Sequence, residues 1–286
     1  MSYKNFVPSV WAEGILRDRD EVTVAAKLCN RDYEGEIKNK GDRVKINGVS
    51  RPSISRYDDI AGLHEMERLD DQSTMLEITE QDSFHFYVGD IDERQAKGDI
   101  MSEERREAGA ALAQSLDSFI YSNIIKKPSV GGGTGLSEIT SLTASNVMST
   151  ITNGLKALWT NNVPRNEKIS LECSPSFVEK LLLAKILLDT DNSSHISSGA
   201  VGTLKTFNCD VYMTNNMPVN SNGDYLVLRT KKAVTMAEQI NKVEAYRPEK
   251  HFGDAVKGLQ VFGAKVIRPK ECIWIPIKAY GTESNI

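Results

Sequence analysis

The stretch that decides how this chain folds runs from Gly41-Asp42-Arg43-Val44-Lys45-Ile46 to Phe84-His85-Phe86-Tyr87-Val88. Its two ends alternate apolar and polar residues as half-buried strands do, whereas the middle, Ser50 to Ser73, carries no such pattern. Taken as residues 30–90, the segment holds eight Lys or Arg against fourteen Asp or Glu, a net charge of −6. That much charge on so little apolar surface cannot build a core of its own. The pattern predicts two strands that leave a body and return to it, with a polar finger between them. At about 3.3 Å per extended residue such a finger reaches past its own domain, and a neighbouring subunit is the surface it calls for. Arg51, Arg56, Asp58, Asp59, Glu65, Glu67, Arg68, Asp70 and Asp71 are the candidate subunit-contact residues.

Whole-chain composition bounds what else the protein can be. The 286 residues, 40% of them hydrophobic, suffice for a substantial core in one large domain or two ordinary ones. No run approaches the roughly 18–20 apolar residues that a membrane helix needs, and Met1 to Phe6 lacks the apolar stretch of a secretion signal. Synthesis in a reducing cytoplasm is the expectation. Cys29, Cys173, Cys209 and Cys272 form no Cys-x-x-Cys pair, so four free, mostly buried thiols are expected in place of a zinc or redox site. A net charge of −4 with no basic tail argues against a protein that grips nucleic acid through its phosphates.

Downstream of the finger, Ala108, Ala111, Leu112, Ser115, Leu116, Phe119 and Ile120 mark a long helix behind the acidic cluster from Glu103 to Glu107. From Asp92 to Ile125 it would extend on the order of 50 Å, with a bend near Gly98-Asp99. Lys126-Lys127-Pro128 stops it, and Gly131-Gly132-Gly133-Thr134-Gly135 reads as a flexible linker. A helix around Val147 to Trp159 follows, then a strand from Lys168 to Cys173. Ser174-Pro175 is a strong helix start, with a capping serine and proline in the first turn. Strands are expected at residues 209–214, 225–229, 233–237, 243–247, 259–267 and 273–277, the first two joined by a tight Asn222-Gly223 turn. The fold class is α+β, without a regular βαβ repeat.

Catalytic patterns are weak. The glycine run lacks the Gly-Lys-Ser/Thr of a phosphate loop, and His64, His85, His195 and His251 are scattered without metal-binding spacing. Asp58-Asp59 and Asp70-Asp71 lie in the most polar segment, where no burial raises a carboxyl for acid catalysis. Neither catalytic, cofactor nor metal residues are assigned. Trp11, Trp159 and Trp274 read as core or interface anchors.

Several stretches, in this order and spacing, together resemble the major capsid protein of tailed bacteriophages, the Hong Kong 97-like fold family. They are Phe6-Val7-Pro8-Ser9-Val10-Trp11-Ala12, Asn30-Arg31-Asp32-Tyr33-Glu34-Gly35-Glu36-Ile37 with Gly41-Asp42-Arg43-Val44, the run from Phe84 to Gln95, and Val256 to Val266. The resemblance implies an N-terminal arm at 1–30, and a peripheral part at 31–140 holding an extended loop near 49–74 and a spine helix near 92–125. It further implies an axial domain at 141–239, and C-terminal strands at 240–286 returning to the peripheral domain. It implies a structural protein, not an enzyme, made in the bacterial cytoplasm and residing in the virion. Such a protein associates with itself as pentamers and hexamers in an icosahedral shell around double-stranded DNA, which it encloses without sequence-specific binding. A portal and a separate scaffolding protein are the further partners implied, with no membrane and no cofactor. An encapsulin-like nanocompartment is the alternative, and a soluble enzyme of unknown type the remote one.

Overall fold

The computed structural model describes residues 23–33, 41–49, 54, 71–89, 100–126, 132–184, 200–204, 207–217, 224–249 and 252–281. In chain order the elements are β1 (Arg43–Val49), β2 (Asp71–Glu77), β3 (Glu80–Gly89), α1 (Ile100–Lys126), β4 (Thr134–Gly135), α2 (Val147–Thr160), β5 (Ile169–Cys173) and α3 (Pro175–Leu183). There follow β6 (Ala200–Leu204), β7 (Cys209–Met213), β8 (Asp224–Thr230), β9 (Val234–Tyr246), β10 (Gly253–Val266) and β11 (Cys272–Ile277). They form an α+β arrangement of three sheets: the ribbon β1-β2, the three-stranded β3-β10-β9, and the six-stranded β4-β11-β8-β5-β7-β6.

The arm divides differently from its sequence pattern. β1 pairs with β2 from Arg43↔Glu77 to Val49↔Asp71, so the returning strand of the ribbon begins at Asp71. The stretch Phe84 to Val88 belongs to β3, which pairs antiparallel with β10. Polar Gln72, Ser73 and Thr74 lack alternating hydrophobicity, and it is the ladder to β1 that makes them a strand. Two-stranded ribbons are marginal alone; this one buries Val44, Ile46, Leu76 and Ile78 against Ala237 of β9 and Val261 of β10. The contact residues from Arg51 to Asp70 lie outside the described residues, as does the bend near Gly98; Asp71 alone among them is placed, opposite Val49.

α1 has 27 residues, about 40 Å at 1.5 Å per residue. Its buried stripe is Leu112, Ala113, Leu116, Asp117, Ile120, Tyr121 and Ile124. The stripe is offset from the sequence expectation: Ala111 and Ser115 are exposed, and a carboxylate takes a position reserved for apolar side chains.

The six-stranded sheet is covered on both faces. β5 is buried along its whole length, and period-two alternation sends its side chains to opposite sides. Ile169, Leu171 and Cys173 join Leu226, Leu228, Ile273 and Ile275 beneath α2 and α3, which contribute Ile151, Leu155, Leu158, Phe177 and Leu181. The opposite face presents Tyr225, Val227 and Cys272 to Leu116, Ile120 and Tyr121 of α1, to Ala25, Ala26 and Cys29, and to residues of β9 and β10. Ser174 caps α3 as its sequence predicts, accepting a hydrogen bond from the Phe177 amide at 3.4 Å.

Four details depart from the sequence reading. Residues 233–237 and 243–247 belong to one continuous strand, β9. β7 and β8 are not neighbours, because β5 lies between them, so Asn222-Gly223 joins no hairpin. β11 joins β8 in the six-stranded sheet, apart from the other C-terminal strand, β10. The glycine-rich stretch is no linker from Gly132 onward: Thr134 and Gly135 pair parallel with Ile273 and Trp274, and the Gly133 carbonyl accepts the Trp274 indole N–H at 3.1 Å. Glycine is needed there by close approach, since a Cβ on Gly133 would fall 2.8 Å from Cys272 Sγ and 2.9 Å from the Cys272 carbonyl oxygen. The substitution Gly133→Ala is therefore expected to cost about 1–3 kcal/mol in urea unfolding; an unchanged midpoint would refute the close-approach account.

Candidate functional site: a buried hub and the exposed assembly surfaces

The most constrained chemistry lies where the six-stranded sheet meets α1. Glu172 on β5 and Arg229 on β8 are both fully buried. The guanidinium is bidentate on the carboxylate, with Nε to Oε1 at 2.6 Å and Nη2 to Oε2 at 3.1 Å. Its other donors leave the sheet for the segment before the arm: Nη2 donates to the Ala25 carbonyl at 3.1 Å, and Nη1 to the Leu28 carbonyl at 3.3 Å and to Cys29 Sγ at 3.2 Å. All five N–H groups of the arginine are thereby used. Ser170 Oγ lies 3.2 Å from Glu172 Oε1 and 3.0 Å from the Arg229 carbonyl, its one proton serving either.

Asp117 completes the cluster from the helix side. Its Oδ2 accepts the Val24 amide at 2.9 Å and Asn216 Nδ2 at 3.3 Å, and its Oδ1 accepts the Ala26 amide at 3.3 Å. The segment 24–29 is thus held by an anion below its amides and a cation beside its carbonyls. Beyond it, Asn30 bridges to β9 through Asn30 N to Val234 O at 2.8 Å and Met236 N to Asn30 O at 3.0 Å, and Arg31 meets Glu238 at 2.6 Å.

Burial sets the electrostatics. It raises the Asp117 carboxyl above its ordinary value, the amides of Val24 and Ala26 and the side chain of Asn216 opposing in part. For Arg229 burial opposes the charge, but the adjacent Glu172 outweighs it and holds the guanidinium protonated. Burial next to Glu172 likewise keeps the Tyr121 phenol neutral. The four cysteines are free and buried; burial lifts Cys209 and Cys272 to about 12 and raises Cys29 and Cys173 as well, so none is poised as a nucleophile.

Sequence reasoning missed this hub. Its signal was a single charge inside each of three otherwise apolar patterns: Asp117 in the helix stripe, Glu172 in Ile169–Cys173, and Arg229 in the run from Tyr225 to Leu228.

Candidate catalytic residues do not converge. His85 points away from Phe84 and Phe86 and pairs with Tyr246, Nε2 to hydroxyl 2.8 Å, the two rings stacked at 5.9 Å. Among the described residues no group of His, Cys, Asp or Glu is arranged to hold a metal ion, and no helix is long and apolar enough to cross a membrane. A groove of about 480 Å³ between α2 and residues 134–139 is floored by Ile273 and Ile275 and has neither histidine nor cysteine in its walls.

The outer surface carries two apolar corners. On the three-stranded sheet, Tyr87 and Tyr246 are 46% and 39% exposed and Phe252 is 85% exposed, with the Tyr87 hydroxyl donating to the Phe252 carbonyl at 2.7 Å. At the end of α3, Leu182 and Leu183 are also open to solvent. Exposed groups of this size mark association surfaces.

No protein-family model and no curated protein matches the chain. Solved structures do. The structure from Mycobacterium phage Che8 is 26% identical, aligned over 96% of this chain and 98% of its own, with a TM-score of 0.70. The capsid of cyanophage P-SCSP1u is 16% identical over 90% of this chain and 86% of its own, TM-score 0.64. The fold is that of a phage capsid protein. The virus-like particle from Pyrococcus furiosus has the same fold, at 13% identity over 96% of this chain and 100% of that one, TM-score 0.60. A capsid fold accounts for a site built from buried structural charges and exposed apolar corners, with no converging catalytic groups: its role is a structural one.

Two expectations follow. Glu172→Ala or Arg229→Ala should each cost about 3–5 kcal/mol in denaturant unfolding, because each leaves a buried charge alone, while the joint replacement Glu172→Met with Arg229→Met should cost less than either. Additive losses would contradict the pair. For Asp117 the folded-state value is raised, so its contribution to stability is fullest below the unfolded value and is lost as pH rises through the folded one. The melting temperature of the parent chain relative to Asp117→Asn should therefore rise on going from neutral pH to about pH 4.5.

Proposed function

We propose that this chain is the major shell subunit of a tailed-phage head, assembling with copies of itself as pentamers and hexamers around double-stranded DNA. The likeness to capsid structures over nearly the whole chain is the observation that carries this reading. The acidic finger supports it. A segment with a net charge of −6 that cannot bury itself needs a partner surface, and a symmetric shell supplies an identical one at every position. Weak contacts suffice there, because many of them act together once the shell closes. On this reading α1 is the spine helix, the ribbon β1-β2 is the base of the extended loop, and the six-stranded sheet is the axial domain.

The virion is the proposed location and the cytoplasm of a bacterial host the place of synthesis. A net charge of −4 without a basic stripe suits a lining that encloses DNA and lets it slide. A portal and a separate scaffolding protein are further proposed partners. The full-length match to the Pyrococcus furiosus particle favours a second reading, a protein compartment of encapsulin type. Nuclease-protected DNA inside particles purified from the native source supports the phage head; packaged protein with no DNA supports the compartment.

The finger is tested by deletion. Replacing Ser50–Asp70 with Asn-Gly keeps the β1-β2 pairing, so the subunit should fold with unchanged circular dichroism, yet electron microscopy and sedimentation should find no closed shells where the parent chain forms them. Normal shells from the deletion would refute the finger's role in assembly.

A further inference from the structure

We propose that residues 23–31 form a two-state strap whose seating on Asp117 and Arg229 locks the six-stranded sheet to the three-stranded one. The strap is the one described segment that hydrogen-bonds to α1, to β8 and to β9 in succession. Asp117 on α1 takes the Val24 and Ala26 amides, Arg229 on β8 takes the Ala25 and Leu28 carbonyls, and Val234 and Met236 on β9 take Asn30. β8 belongs to the six-stranded sheet and β9 to the three-stranded one, while α1 packs on Tyr225, Val227 and Phe262. The strap therefore spans the seam between the sheets.

Its chemistry forbids a half-seated state. Lifting residues 24–26 would strip Asp117 of two of its three donors, and lifting 25–29 would strip Arg229 of three of its five acceptors, leaving both charges inside a closed interior. Buried charges deprived of partners are tolerated only when water enters. Val24, Ala25, Ala26 and Cys29 are themselves buried, so partial lifting also opens an apolar gap. Opening at one end thus removes the reason for the other end to stay seated, and the strap leaves or docks as a unit. Unseated, the sheets are held together by side-chain packing and chain crossings alone, free to change their mutual angle.

Hydrogen exchange on the dissociated subunit tests this without reference to shells. Asp117→Asn perturbs one end and Arg31→Ala the other, which is partly exposed and pairs with Glu238. Each variant is expected to speed exchange at Val24, Ala26, Asn30 and Met236 by a common factor of about ten or more, while Leu171 in the central strand β5 stays unchanged. Acceleration confined to the amides next to the substitution would overturn the proposal. So would acceleration of Leu171 in step with the strap, since the strap would then open only with the whole fold. If Asp117→Asn does not fold, Arg31→Ala carries the same reading at residues 24 and 26.

Discussion

Arg229 places a full positive charge in the interior, at the centre of the face where three layers meet. A guanidinium there is tolerable only if every donor is met. One carboxylate, Glu172, satisfies two N–H groups from the adjacent strand, and the other three must be met from outside the sheet. Backbone carbonyls of the segment before the arm are what meets them, so that segment is drawn across the seam and α1 must supply Asp117 to hold its amides. The positions of β5, β8, α1 and residues 24–29 are thereby tied to one another. An apolar replacement of the ion pair would pack with less penalty, but it would not specify where the segment crosses.

Local features were legible in the sequence. Ser174-Pro175 carries its own cap and helix start within four residues, and the α2 and α3 stripes need no distant partner. The four buried thiols followed from spacing alone, and His85 stands on the opposite strand face from its two phenylalanine neighbours because strand alternation requires it. The α1 stripe was visible too, but displaced, because a carboxylate occupies the buried position 117 and small exposed alanines mimic an apolar face.

What was not legible depends on partners far away in sequence. Asp71 to Thr74 form a strand only because β1 lies beside them. Gly133 and Gly135 resemble a flexible linker until Cys272 and Trp274 are brought against them. β5 enters the sheet between β7 and β8, which no pattern within residues 209–230 could reveal. Glu172 and Arg229 each look like an exposed position in a strand; their burial is visible only once the two strands are neighbours. The contact residues from Arg51 to Asp70 lie outside the described residues, and their role rests on the resemblance and on the polarity of the finger.

These features meet in one account: a subunit rigid at a buried seam and apolar at two outer corners, with the fold of phage capsid proteins. Its central claim is that the chain builds a closed shell from subunits locked at that seam, and cryo-electron microscopy of the assembled parent chain tests it most directly. The account predicts icosahedral particles in which every copy keeps Arg229 within hydrogen-bond reach of Glu172 and of the Ala25 and Leu28 carbonyls. Protein that stays monomeric or dimeric at every concentration, or shells whose subunits have Arg229 turned to solvent, would contradict it.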